Sequence, residues 1–172
     1  MWWSALCLPP DTPCTELSWW ALGFTPRVAC VDGVGSMDAV LQRIIEVLAP
    51  CQHRLFDLGG ELAMPCYQAL NGAEVARLEA AIDHWNEELG PLENFILPGG
   101  SMLIAQAHVC RSLARSAERR CQHLNAVEPI RGVGLAYVNR LSDLLFVAAR
   151  LIAKRQGIAE VLWQAAAKEA HS

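Results

Sequence analysis

From Ser36 onward, apolar residues recur at helical spacing along almost the whole chain, and no segment there alternates as a strand would. Met37, Val40, Leu41, Ile44, Ile45 and Leu48 follow i, i+3, i+4, i+7, i+8 and i+11, one face of an α-helix. Ser36 stands before them as an N-cap and Pro50 where the stripe stops, so the spacing predicts a helix that ends there. A shorter helix over residues 52–63 follows, with Leu55, Leu58 and Leu62 on one side and Gly59-Gly60 weakening it. Asn71 and Glu74 have capping-box separation, and Val75, Leu78, Ile82, Trp85 and Leu89 form a 3-4-3-4 stripe up to Pro91. Long helices are predicted over about 101–124 and 133–156, and a short one over 158–167. The fold class is therefore all-α, a bundle of about five helices over residues 36–172. Residues 1–35, rich in proline and tryptophan and poor in periodicity, form a distinct N-terminal segment.

At 172 residues the chain suffices for one domain with a substantial core and is short for two. A formal net charge of −4 argues against a general nucleic-acid binder, which would carry a basic stripe. No apolar run approaches the roughly 20 residues that cross a bilayer. The start, Met1 to Pro10, has no basic residue before its short apolar stretch and makes a poor signal peptide. A cytoplasmic protein is expected, with no membrane and no nucleic-acid partner. The seven cysteines are an odd number with no CxxC pair, and the five histidines form no HExxH or i, i+4 pair. Reduced thiols and no protein-bound metal are the expectation.

The informative positions are polar residues at helical spacing on helices otherwise built for burial. Arg111, Arg115 and Glu118 share one face of the first long helix. Asn139, Asp143, Phe146 and Arg150 share one face of the second, whose apolar stripe is Leu135, Val138, Leu141, Leu145 and Ile152. Two such stripes on neighbouring helices can line a cleft for an anion, and arginine's fixed fork suits phosphate oxygens. The same spacing also describes a solvated face laced by ion pairs of about 0.3–0.5 kcal/mol each. Phe95 lies in an apolar loop closed by Pro98-Gly99-Gly100 and is either a core plug or a ligand-facing ring. Pattern alone leaves both alternatives open.

Four segments in order resemble the PduO-type ATP:corrinoid adenosyltransferases. They are Leu55-Phe56-Asp57-Leu58-Gly59-Gly60-Glu61-Leu62-Ala63 and Phe95-Ile96-Leu97-Pro98-Gly99-Gly100, then Arg111-x-x-x-Arg115-x-x-Glu118-Arg119-Arg120 and the run from Tyr137 to Phe146. The terminal Glu160-Val161-Leu162-Trp163 also fits. The resemblance implies a homotrimer of five-helix bundles with an active site at each subunit interface. It implies transfer of the 5′-deoxyadenosyl group of ATP to the Co(I) of a reduced corrinoid, releasing triphosphate. ATP, arriving with Mg2+, and the corrinoid are substrates. By the same resemblance Arg115, Glu118 and Asn139 contact ATP, and Phe95 covers the lower face of the corrin ring. Arg111 pairs across the interface with Asp38, while Arg140 and Asp143 order the same cleft.

The departures lie at the N-terminus. Family members carry a glycine-rich phosphate loop there, to which Thr12 and Arg27 can be aligned as ATP contacts. Here Pro13 stands for the loop's first arginine, Thr15 and Ser18 for two glycines, and Cys30 for a lysine. A proline removes a donor and a Cβ restricts backbone approach to phosphate. Three alternatives follow: an active enzyme with another N-terminal conformation, a catalytically impaired corrinoid carrier or regulatory subunit, or a damaged or misassigned N-terminus.

Overall fold

The structure is a computed structural model that describes residues 39–64, 66–92 and 94–164. The expected cap Ser36 and the candidate site residues Thr12, Arg27 and Asp38 lie outside the described residues. Four helices make up the described chain: α1 (Ala39–Ala63), α2 (Gly72–Leu89), α3 (Met102–Asn125) and α4 (Gly132–Arg155). The all-α expectation holds, but the described residues contain four helices rather than five.

Two corrections account for the difference. Pro50 does not end a helix: the two segments expected on either side of it form the single helix α1. Pro50 has no N–H for the carbonyl of Glu46, a loss of about 3 kcal/mol in a helix interior. Both residues lie on the exposed face of the helix. On the inner face, the carbonyl of Val47 accepts from Arg77 Nη1 of α2 at 3.0 Å and from Cys51 Sγ at 3.4 Å. Ile44, Leu48, Cys51 and Leu58 are buried on both sides of the proline, and each large apolar side chain contributes roughly 1.5–3 kcal/mol. Burial outweighs the missing bond. Gly60 lies inside the same helix, where a Cβ would meet the Tyr67 ring at 3.0 Å.

The second correction concerns the C-terminus. Residues 158–164 are not helical, and 165–167 lie outside the described residues. Gly157, at φ 64°, takes the left-handed conformation that ends α4, and its N–H bonds to the carbonyl of Lys154 at 3.2 Å. The chain then runs beside the loop between α2 and α3, with one antiparallel bridge between Ile96 and Leu162.

The remaining elements follow their sequence signals closely. Asn71 caps α2, its side chain accepting from the N–H groups of Ala73 at 2.9 Å and Glu74 at 3.3 Å. Leu78 and Trp85 from the predicted stripe are buried. Ser101 caps α3 through the N–H of Ile104. Fourteen of the 24 residues of α4 are buried, which makes it the central helix against which the other three pack. Buried Glu61 fixes the start of α4: one of its oxygens accepts from Arg131 Nη1 at 2.8 Å and from the N–H groups of Ala69 and Leu70.

Candidate functional site

Helices α3 and α4 pack antiparallel, and Asn139 and Phe146 of the stripe expected on α4 meet the α3 stripe along their seam, whereas Asp143 pairs with Arg140 and Arg150 with Glu160. At one end Glu118 of α3 accepts from Asn139 Nδ2 of α4 at 2.9 Å. Its other oxygen pairs with Arg115 Nη1 on its own helix. Both carboxylate oxygens are thus occupied, and Glu118 orients an amide and a guanidinium together. The Arg115 side chain remains 44% exposed, so its charge stays available to a ligand from solvent. Arg115, Glu118 and Asn139, three residues singled out from spacing and resemblance, form one cluster.

One turn along, the Arg111 guanidinium sits 5.8 Å from the centre of the Phe146 ring, a cation–π contact. Its Nε is buried and has no hydrogen-bond partner among the described residues. His108 follows, 5% exposed, its ring 6.3 Å from Phe146 and its Nδ1 likewise without a partner among the described residues. Burial, aided by the neighbouring Arg111 charge, pushes His108 below the ordinary histidine range. At the far end Arg150 Nε donates to Glu160 Oε1 at 2.8 Å. A shallow recess, open to solvent, lies here between His108, Arg150, Glu160 and the residue 96–99 loop. Neither Arg115 nor Phe95 lines it.

Phe95 is no core plug. It is 74% exposed on the loop between α2 and α3, and its ring meets that of Trp163 edge-on at 6.2 Å. Arg140 and Asp143 pair with each other at 3.1 Å, but Arg140 Nε donates to Glu79 of α2 at 2.8 Å. A single residue rotates a helical side chain by about 100°, so Arg140 leaves the α3 seam that Asn139 faces.

His108, Glu160 and Trp163 are the neighbours that sequence reasoning did not place. The spacing 108, 111, 115, 118 continues the α3 stripe back by one step, and that signal could have found His108. Periodicity gives none for Glu160 or Trp163. Among the described residues no three His, Cys, Asp or Glu side chains form a group able to hold a metal, and no helix is long and apolar enough to cross a membrane. Burial pushes the Cys110 thiol up to about 11 and also raises Cys121, so neither offers a thiolate near neutral pH.

Residues 25–152 match the family model for cobalamin adenosyltransferase. The chain is 50% identical over 113 residues to a cobalamin adenosyltransferase of Cupriavidus metallidurans, covering 66% of this chain and 61% of that protein. It is 42% identical over 123 residues to a corrinoid adenosyltransferase of Bacillus subtilis, covering 70% of this chain and 64% of the relative. The matched region thus spans less than two thirds of either relative's length. Among solved structures, a variant PduO-type ATP:corrinoid adenosyltransferase from Lactobacillus reuteri, complexed with cobalamin and ATP, superposes with TM-score 0.74 at 29% identity. The match covers 88% of this chain and 82% of that one.

Proposed function

The chain belongs to the cobalamin adenosyltransferase family, and on that premise we propose that it transfers the 5′-deoxyadenosyl group of ATP to a reduced corrinoid. The observation that carries the proposal is the Arg115–Glu118–Asn139 cluster, which holds a guanidinium and an amide on one accessible surface. In the reaction the Co(I) electron pair forms the bond to C5′, the C5′–O bond breaks, and triphosphate leaves with its electrons. The protein's task is to place the two substrates in line and to stabilise charge on the departing triphosphate. Arg115 suits the second role because its fork can pair with two phosphate oxygens. Glu118 fixes its direction, and Asn139 shares that carboxylate. Phe95 presents an apolar ring at the surface, suited to covering one face of a corrin and excluding a lower axial ligand from cobalt.

The active assembly in this proposal is a homotrimer of five-helix bundles. Two features support a second copy against α3. Met102, Val109 and Leu113 are exposed apolar residues separated by seven and four, one stripe on that helix. Arg111, half-buried one turn from the cluster, carries the guanidinium that the partner's aspartate, supplied by Asp38, would meet. Thr12 and Arg27 complete the phosphate contacts, Mg2+ arrives with ATP, and the setting is the cytoplasm, where ATP and a reductant for cobalt are at hand.

The altered N-terminal loop favours one rival, a corrinoid carrier or regulatory subunit with little ATP affinity. The two separate in an anaerobic assay with Co(I) corrinoid and Mg-ATP, followed by formation of the cobalt–carbon bond, beside titrations of each ligand. An adenosyltransferase yields product and loses it in Arg115→Ala. Corrinoid binding without product or ATP binding establishes the carrier, and absence of both interactions overturns the proposal.

A further inference from the structure

The segment after α4 is tied to the Phe95 loop by contacts of three kinds. The N–H of Leu97 donates to the carbonyl of Val161 at 2.8 Å, and the N–H of Trp163 donates to the carbonyl of Phe95 at 2.7 Å. Asn94 Nδ2 donates to the Trp163 carbonyl at 3.0 Å, while Asn94 Oδ1 accepts from the N–H of Phe95 at 2.8 Å. The Trp163 ring stands edge-on to the Phe95 ring at an interplanar angle of 80°. Behind these contacts, Glu160 is fastened to α4 by Arg150, whose side chain is only 8% exposed.

Both backbone groups of Phe95 are therefore occupied, one by Asn94 and one by Trp163, although its ring is largely in solvent. An exposed aromatic ring on a loop ordinarily samples several rotamers and loop positions. Here the loop is registered to α4, the helix that also carries Asn139. A ring that must lie at a fixed height beneath cobalt needs such support, because small displacements of a positioning group cost rate steeply.

We infer that residues 160–163 form a positioning strap for the proposed corrinoid site: Trp163 and Asn94 fix the Phe95 ring and backbone, and the Arg150–Glu160 pair sets the strap's register on α4. The inference rests on the corrinoid reading of Phe95 for its consequence, though not for its mechanics. Arg150, Glu160 and Trp163 are positioning residues and need not touch either substrate.

The test uses the full-length protein with Trp163→Ala, Trp163→Phe, Glu160→Gln and Phe95→Ala, plus the double variant of Phe95 and Trp163. The mechanical half is read without substrate, from backbone hydrogen exchange at residues 95–97. Exchange there is expected to quicken roughly tenfold in Trp163→Ala and Glu160→Gln, with the thermal midpoint of Trp163→Ala nearly unchanged. The functional half is read with Co(II) corrinoid by electron paramagnetic resonance, and with Co(I) corrinoid and ATP by rate. Trp163→Ala is expected to lower kcat by about tenfold or more and to reduce the fraction of corrinoid lacking its lower ligand. The KM for ATP should stay within about twofold. Trp163→Phe should recover most of the loss, and Trp163→Ala should add little in the Phe95→Ala background.

Unchanged exchange at residues 95–97 in both strap variants overturns the inference whatever the enzyme does. So does a loss in Trp163→Ala that adds in full to that of Phe95→Ala. Faster exchange in a protein that binds no corrinoid supports the strap's mechanics and rejects the corrinoid reading alone.

Discussion

The two flanks of α4 carry ion pairs of the same length in different settings. Facing the strap, Arg150 Nε meets Glu160 Oε1 at 2.8 Å with side chains 8% and 27% exposed. Facing α2, Arg140 Nε meets Glu79 Oε1 at the same 2.8 Å with side chains 42% and 46% exposed. Distance alone makes them equal, and burial separates them. An exposed pair is screened and contributes about 0–1 kcal/mol. Removing one partner of a buried pair leaves a charge that water cannot reach, at a cost of about 3–5 kcal/mol when burial is complete. The α3 side of α4 also carries Asn139 with Glu118 and Phe146 with Arg111, so the proposed chemistry gathers on the flank where polar groups are organised by packing.

The sharpest way to break this contrast is by activity. Arg115→Ala and Asn139→Ala are expected to lower adenosyl transfer by about a hundredfold or more, the usual scale for losing a group that stabilises transition-state charge. Arg140→Ala on the other flank should stay within roughly threefold. Steady-state rates for the three variants under anaerobic conditions decide it, and a collapse in Arg140→Ala would return that arginine to the cleft.

Stability gives the next largest difference. Glu160→Ala should lower unfolding free energy by roughly 2–3 kcal/mol, less than for a fully buried pair because Glu160 keeps some solvent contact. Glu79→Ala should change it by less than about 1 kcal/mol. Chemical denaturation of both variants measures the two losses side by side, and equal values would mean that burial does not distinguish the flanks.

The smallest effect is a pH dependence confined to the α3 side. His108 is held below the ordinary histidine range by burial first and by Arg111 second, while Glu160 opposes the shift. The unfolded chain therefore takes up a proton near pH 6.5 that the folded chain refuses until lower pH. Stability from this group falls as pH drops through that window and levels off below the folded value. Thermal midpoints of the wild type and His108→Leu between pH 8 and pH 5 should diverge in that direction, with the wild type losing more on acidification. Parallel curves would exclude His108 as the source.

How much of this was legible beforehand depended on whether a feature was local. The 4-3 spacing of Arg111, Arg115 and Glu118 put them on one face of α3, and the cap residue Asn71 placed the start of α2. Asn139 was legible as a member of a stripe, and the structure turns it onto Glu118. Pro50 misled because propensity is a local cost and the compensating burial of Leu48 and Leu58 is not. Arg140 was assigned to the same cleft as its neighbour Asn139, yet Glu79, 61 residues away in sequence, draws it to the opposite flank. The apolar run over residues 158–167 suggests a short helix, yet residues 158–164 are not helical, because Gly157 ends α4 and Ile96 pairs with Leu162.

The sequence by itself determined the helical class, the faces of α3 and α4, and the family, because 3.6-residue periodicity and ordered motifs are written along the chain. Tertiary structure alone decided that Glu118 binds Asn139 and that Arg150 is buried against Glu160. It also decided that Trp163 stands beside Phe95. Each of those contacts joins residues whose separation along the chain carries no periodic signal, so only the packing of helices and loops brings them together.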